Sequence, residues 1–175
     1  MFDLENHNAK LSSVNPRAEI HGEERKPACD LKFEVTCAND VLIHFHPELR
    51  SLLFKKDEQP DLIDQAQPTE ALTALRFPKM GTIKWDWQGI GYKLTIDYGM
   101  GGQSNIVLGE CEVDSMRIDP MNGGSVKLGF RVICHPESKQ MGQLCELIQQ
   151  EVEISVTPPE PTTVQELFGE EKEAA

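Results

Sequence analysis

Alternation of apolar and polar residues marks several stretches of the chain. Leu31, Phe33 and Val35 alternate with polar neighbours, which is the period-2 pattern of a half-buried strand. The same pattern occurs in residues 83–87 and again in residues 92–98, on either side of a turn that contains two glycines. Two alternating runs around such a turn predict a β-hairpin.

A second hairpin is predicted further along the chain. Residues 105–119 alternate over a long run whose phase slips near Ser115, which predicts a bulge or bend. The turn sequence PMNGG follows at residues 120–124, and Val126 then begins a further alternating strand. A last strand is predicted around Ile154, before Pro158 ends it.

Helical spacing is confined to two segments. Residues 41–54 have an apolar stripe but contain Pro47, which cannot stand inside a continuous helix, so two short pieces are predicted. Residues 138–150 repeat apolar residues at helical spacing, and Ser138 is a suitable cap.

These elements predict a mainly β (α+β) fold, a small β-barrel or sandwich with one or two short helices. An oligonucleotide-binding-type barrel is one candidate. The predicted organisation is a polar N-terminal arm at 1–27, a single β-rich domain at 28–157 with a surface loop at 55–70, and a disordered acidic tail at 158–175.

Composition and charge narrow the class of protein. The formal net charge of −12 disfavours nucleic-acid binding at long range, yet residues 71–135 carry seven Lys/Arg and only six Asp/Glu. The five cysteines are scattered and form no C-x-x-C pair, so reduced core thiols are expected. We find no apolar run long enough for a membrane span and no signal peptide at the start, so a cytoplasmic location without a membrane partner is expected.

No recognisable catalytic motif is present. The segment GMGGQSN lacks the Lys-Ser/Thr of a phosphate loop. His44 and His46 diverge if their segment is helical, and Cys134 and His135 face opposite ways on a strand. We therefore expect no enzyme activity, no cofactor and no metal site, although an enzyme that uses these four residues remains the third hypothesis.

Aromatic and basic residues interleave in one part of the chain, in the composition that a single-strand groove requires. The candidate nucleic-acid-binding residues are Arg76, Lys79, Lys84, Trp85, Trp87, Tyr92, Lys93 and Tyr98. Three of these aromatic residues also fall on apolar-face positions, so packing in the core is the open alternative.

The acidic C-terminal segment contains a compact apolar cluster, Val164, Leu167 and Phe168. A short motif of this kind can fold onto the groove of a partner protein. A plain solubilising tail is the alternative.

A β domain followed by an acidic tail with a hydrophobic tip, here Leu167 and Phe168, resembles the layout of bacterial and phage single-stranded DNA-binding proteins. This resemblance implies that the tail recruits a replication or recombination protein and competes with DNA for the groove. The usual tail ends at its aromatic residue, whereas GEEKEAA follows here. QELF is also similar to a sliding-clamp-binding peptide, with its glutamine one place too close to the Leu-Phe pair.

Three phrases, NPRAEIHGEERKPACDLKFEV, LRFPKMGTIKWDW and LIQQEVEISVTPPE, resemble a group of bacteriophage and prophage proteins. This resemblance implies the cytoplasm of a bacterial host cell. The leading hypothesis is a single-stranded DNA-binding accessory protein of phage-type replication or recombination. The alternative is an acidic protein-interaction or inhibitor module, such as a DNA mimic, that does not bind nucleic acid. The sequence predicts no oligomeric state.

Overall fold

The computed structural model describes residues 1–21, 24–57, 72–99 and 104–160. Within these ranges the chain forms nine strands, a 3-10 helix at Asn39–His44, and two α-helices, α1 at Leu49–Leu53 and α2 at Ser138–Glu146. In chain order the strands are β1 Leu4–His21, β2 Glu24–Ala38, β3 Phe54–Lys56, β4 Leu72–Leu75, β5 Ile83–Trp85, β6 Gly89–Ile96, β7 Ile106–Met121, β8 Ser125–Cys134 and β9 Glu151–Thr157.

Six strands close into an antiparallel barrel in the order β7, β6, β9, β1, β2 and β8, and β8 pairs back onto β7. The predicted mainly β fold is confirmed, and the architecture is a barrel. It has one strand more than the five-stranded oligonucleotide-binding barrel. Strands β3 and β4 form a separate two-stranded sheet.

The barrel interior is filled by the inward-facing residues of each strand, as Leu31, Phe33 and Val35 of β2 show. In β7 the alternation slips twice, at Glu110 and at Ser115, where the backbone φ angles are 52° and 56°. The left-handed conformation is rare for residues other than glycine, and here it accompanies an extra residue in the strand. The bulge predicted near Ser115 is therefore confirmed, as is the β7–β8 hairpin.

The hairpin predicted from residues 83–87 and 92–98 is wrong. Strands β5 and β6 do not pair with each other; both pair with the same edge of β7, one after the other along its length. The rings of Trp87 and Tyr92 pack over Gly89, where an added Cβ would lie 2.6 and 2.5 Å from them. The glycine between the two runs therefore makes room for aromatic side chains instead of forming a reversing turn.

The polar N-terminal arm predicted for residues 1–27 is also wrong. Phe2 is buried, with its ring centroid 5.5 Å from that of Phe130, and β1 runs through the barrel wall. The sequence of β1 shows no sustained apolar–polar alternation because Asn6 adopts a φ of 50° and the β1–β9 register shifts between Leu4 and His7. β1 pairs with β2 from Ala9 to His21, and from Ser13 onward this two-stranded ribbon runs beyond β9.

The predicted helices are present, but the predicted cap Ser138 is wrong: the N-cap of α2 is Glu137, which forms a capping box with Gln140. The 3-10 helix and α1 are the two short pieces separated at Pro47, and α2 begins at Ser138 but ends at Glu146 instead of continuing to residue 150. Of the predicted loop at 55–70, Lys55 and Lys56 belong to β3 and residues 58–70 lie outside the described ranges. Of the predicted tail, residues 158–160 have no regular structure and residues 161–175 lie outside those ranges.

Candidate nucleic-acid interface

A groove of about 570 Å³ lies on the barrel wall where β5 adds to β7. Strands β2, β5, β7 and β8 contribute to it, and Asp86 follows directly after β5. The groove is lined by Lys32, Lys84, Trp85, Asp86, Ser115, Met116, Arg117, Phe130 and Arg131.

Strand register brings the basic side chains of the groove together. Lys84 of β5 lies opposite Arg117 of β7, and Arg117 lies opposite Gly129 of β8. The Arg117 guanidinium group lies over Gly129, where an added Cβ would stand 3.4 Å from its Nε atom. Lys32 of β2 lies opposite Arg131 of β8. The groove therefore collects cations from four strands that are far apart in the sequence.

Both tryptophans are partly buried against the core, but only Trp85 lines this groove. Trp85 is partly buried, touches Phe45 edge-on at a centroid distance of 5.8 Å, and lines the groove. Trp87 packs against Phe2 and Tyr92 at 6.2 and 5.9 Å, and Tyr92 is only 2% exposed. Trp85 is thus the indole that a bound base could reach from the groove.

One cation of the groove, Arg131, is neutralised by its neighbours. Arg131 donates two hydrogen bonds to the Asp114 carboxylate, and its Nη1 atom lies 3.5 Å from Asp30. These hydrogen bonds hold the pKa of Asp114 below its ordinary value and raise the pKa of Arg131. Asp30 also accepts from Arg17 at 2.9 Å, so a network of ion pairs fastens β1, β2, β7 and β8 together.

Three cations of the groove remain uncompensated. Lys32, Lys84 and Arg117 are exposed, and no carboxylate within the described part of the chain is in ion-pair distance of them. Glu34 accepts a hydrogen bond from Lys127, which is the main cause of its lowered pKa, and the charge of Arg117 contributes to that lowering without forming an ion pair. Because these three side chains have no partner of their own there, an incoming anion would not have to displace one.

The other candidate binding residues lie elsewhere. Arg76 donates from Nε to the backbone oxygens of Ser51 and Phe54, which is a structural role, and Lys79 is exposed in the β4–β5 loop. Lys93 is exposed on β6, and the Tyr98 hydroxyl donates to Glu146. Of the predicted set, the structure brings only Lys84 and Trp85 into the groove. The tail residues Val164, Leu167 and Phe168 lie outside the described ranges.

Carboxylates gather on a different wall of the barrel. Asp97, Glu146, Glu151 and Glu153 line a second groove, of about 580 Å³, together with Tyr98. This groove borders β9, which is three strands away from β8 in either direction around the barrel. This cluster of four carboxylates and the basic groove therefore lie on different faces of the barrel.

The residues of the enzyme hypothesis do not meet at one site. Cys134 is buried, and desolvation raises the pKa of its thiol, whereas His135 contacts Glu19 at 3.0 Å. His44 contacts the Met1 carbonyl through Nδ1, and His46 accepts from the Glu48 backbone N–H. Among the described residues, no group of three or more His, Cys, Asp or Glu side chains could hold a metal ion.

Sequence reasoning missed Lys32, Arg117 and Arg131 as members of the groove. All three lie at outward positions of predicted strands, so the alternation already indicated that they face away from the core. The missing information was the strand order. The apolar–polar alternation of a single strand does not show which strands lie next to it in the barrel.

Comparison with protein-family models, with curated proteins and with solved structures found no match to this chain. None of the helices in the described ranges is long and apolar enough to cross a membrane.

Proposed function

We propose that the protein binds single-stranded DNA along the groove between β5, β7, β8 and β2. The observation that carries this proposal is a partly exposed indole, Trp85, in the same groove as three cations, Lys32, Lys84 and Arg117, that have no ion-pair partner among the described residues. Single-strand grooves combine aromatic faces, on which bases of any sequence stack, with cations that follow the phosphate backbone.

The overall negative charge does not oppose such binding strongly at this face. Fields from exposed charges are screened over roughly 8–10 Å at physiological ionic strength. The carboxylates around Tyr98 border β9, on the far side of the barrel from β8. Two carboxylates near the groove are engaged, Asp114 with Arg131 and Glu34 with Lys127, whereas Asp86 lies exposed in the groove itself.

We further propose that the protein is an accessory factor of phage-type replication or recombination, acting in the cytoplasm of a bacterial host cell. The support for this role is the resemblance to phage proteins and to single-strand-binding proteins with acidic tails. Val164, Leu167 and Phe168 would contact a replication or recombination partner. Pull-down of such a partner by the full chain, and its loss after Phe168→Ala, would test this role separately from DNA binding.

The binding test uses a fluorescently labelled single-stranded oligonucleotide and anisotropy at low salt. Stacking of one base on an aromatic ring is worth about 1–3 kcal/mol, so Trp85→Leu should weaken binding roughly 5- to 150-fold. Lys84→Gln, at an exposed position, should weaken it without affecting the fold. Tyr98→Phe and Lys93→Gln are matched controls outside the groove and should leave the affinity unchanged.

Two results would contradict the proposal. One is no binding at low salt by a folded parent protein. The other is an equal loss of affinity in the groove variants and in the controls, which would mean that no particular face holds the DNA.

The wall around Tyr98 favours a second candidate function. Four carboxylates, Asp97, Glu146, Glu151 and Glu153, line one groove there, and such a surface suits a basic protein partner. In this alternative the chain is an acidic interaction or inhibitor module that does not bind nucleic acid. Charge reversal at Glu151 and Glu153 would then abolish the capture of a basic partner, while Lys84→Gln would not.

A further inference from the structure

The basic groove contains one carboxylate, and its position calls for an explanation. Asp86 is exposed, follows Trp85 directly, and lines the groove together with Lys84. An ionised carboxylate repels phosphate, so at this point the groove is unsuited to the backbone of a nucleic acid. If the groove holds a single strand, Asp86 would face a part of the ligand other than phosphate.

A base that stacks on Trp85 would be flanked by the two residues next to it in the chain. Lys84 precedes Trp85 and lies opposite Arg117 across the β5–β7 pairing, so two of the proposed phosphate-binding cations adjoin Trp85 on that side. Asp86 lies on the other side, after the end of β5. The polar edge of a stacked base, which lies in the plane of its ring, can then point towards Asp86.

An ionised aspartate only accepts hydrogen bonds. Cytosine offers it the exocyclic N4 amino group, which is the established partner for a carboxylate among the pyrimidines. Uracil and thymine present a carbonyl oxygen at that position, which would repel Asp86. Single-stranded bases are generally read in this way, through hydrogen bonds to their Watson–Crick edges while their faces stack on aromatic rings.

We infer that Asp86 makes the groove selective for bases that carry an exocyclic amino group, and that it prefers cytosine to uracil or thymine at the base stacked on Trp85. This inference rests on the proposed function, because it concerns the same groove. Ser115, exposed at the bulge of β7, lines the same groove.

The test compares oligonucleotides of deoxycytidine and deoxyuridine of equal length at neutral pH and fixed salt. The two pyrimidines are of the same size and lack the thymine methyl group, so the exchange isolates the polar edge of the base. Because Asp86 is exposed, the lower end of the usual discrimination applies, and deoxycytidine should bind about 5-fold more tightly.

Asp86→Asn keeps the shape of the side chain but adds an N–H donor. Its affinity for the deoxyuridine oligonucleotide should rise, and the ratio between the two oligonucleotides should fall to about one. Asp40→Asn is the matched control, because Asp40 is an exposed aspartate that lies outside this groove and the charge change is the same. The control should keep the ratio of the parent.

Equal affinity of the parent for both oligonucleotides, or a ratio that Asp86→Asn does not change, would overturn the inference while leaving single-strand binding in place. Failure of the folded parent to bind either oligonucleotide would overturn the proposed function and the inference together.

Discussion

Removal of one uncompensated cation from the groove should change how DNA binding depends on salt. Lys32, Lys84 and Arg117 have no ion-pair partner within the described ranges, so each can neutralise one phosphate. For single strands the slope of log affinity against log salt is about −0.7 per neutralised phosphate, which gives about −2.1 for the parent and about −1.4 for Arg117→Gln. Between about 50 and about 200 mM salt, affinity should then fall roughly 18-fold for the parent and roughly 7-fold for the variant.

The assay is fluorescence anisotropy of a labelled oligonucleotide titrated at four or more salt concentrations. Lys93→Gln is the control, because it removes one positive charge from β6, outside the groove, and should keep the slope of the parent. If Arg117→Gln and Lys93→Gln lower the slope by the same amount, the protein responds only to net charge. The assignment of phosphates to the groove would then be wrong.

Three further predictions concern the fold. Asp114→Asn should lower the free energy of unfolding by about 1–3 kcal/mol at neutral pH, because it weakens the charge-assisted bonds to Arg131. The folded state lowers the pKa of Asp114 from its ordinary value of 3.8. The stability difference between the parent and Asp114→Asn should therefore shrink as the pH falls below 3.8 and vanish below the lowered pKa. A stability difference that persists in urea melts at low pH would refute this prediction. Gly89→Ala should destabilise the protein by about 1–3 kcal/mol through its clash with Trp87 and Tyr92, whereas Gly109→Ala, where an added Cβ would meet nothing within 4 Å, should be close to neutral in the same melts. Of the five thiols only Cys145 is exposed, and burial raises the pKa of Cys29, Cys37 and Cys111 to about 11. A thiol reagent at pH 8 should therefore modify one cysteine per chain quickly, and all five only in denaturant.

The apolar–polar alternation predicted a strand correctly where one face of the strand is buried and no irregular residue interrupts the alternation. Phe33 and Leu128 are examples, since their alternating neighbours predicted β8 and the part of β2 that begins at Leu31. The alternation did not predict β1, because Asn6 adopts a left-handed conformation that interrupts it. It also suggested a false hairpin around Gly89, because a glycine that accommodates two rings has the same sequence signal as a glycine that forms a turn.

The candidate site was only partly accessible from the sequence for a related reason. Lys84 and Trp85 are neighbours in the chain, so their combination was visible as composition. Lys32 and Arg117 join them only because β2 pairs with β8, β8 with β7, and β7 with β5. Both tryptophans are partly buried, and which of them lines the groove depends on where Phe2 and Phe45 pack, which the alternation of β5 does not reveal.

The central claim is that a base stacks on Trp85, and the fluorescence of a protein with Trp85 as its single indole tests this directly. Trp87→Phe leaves that indole alone and keeps an aromatic ring against Phe2. Saturation with a single-stranded oligonucleotide should strongly quench the remaining emission, and the reciprocal variant Trp85→Phe should show little quenching from Trp87. Strong quenching of Trp87 with an unaffected Trp85, or oligonucleotide binding that quenches neither, would contradict this account of the groove.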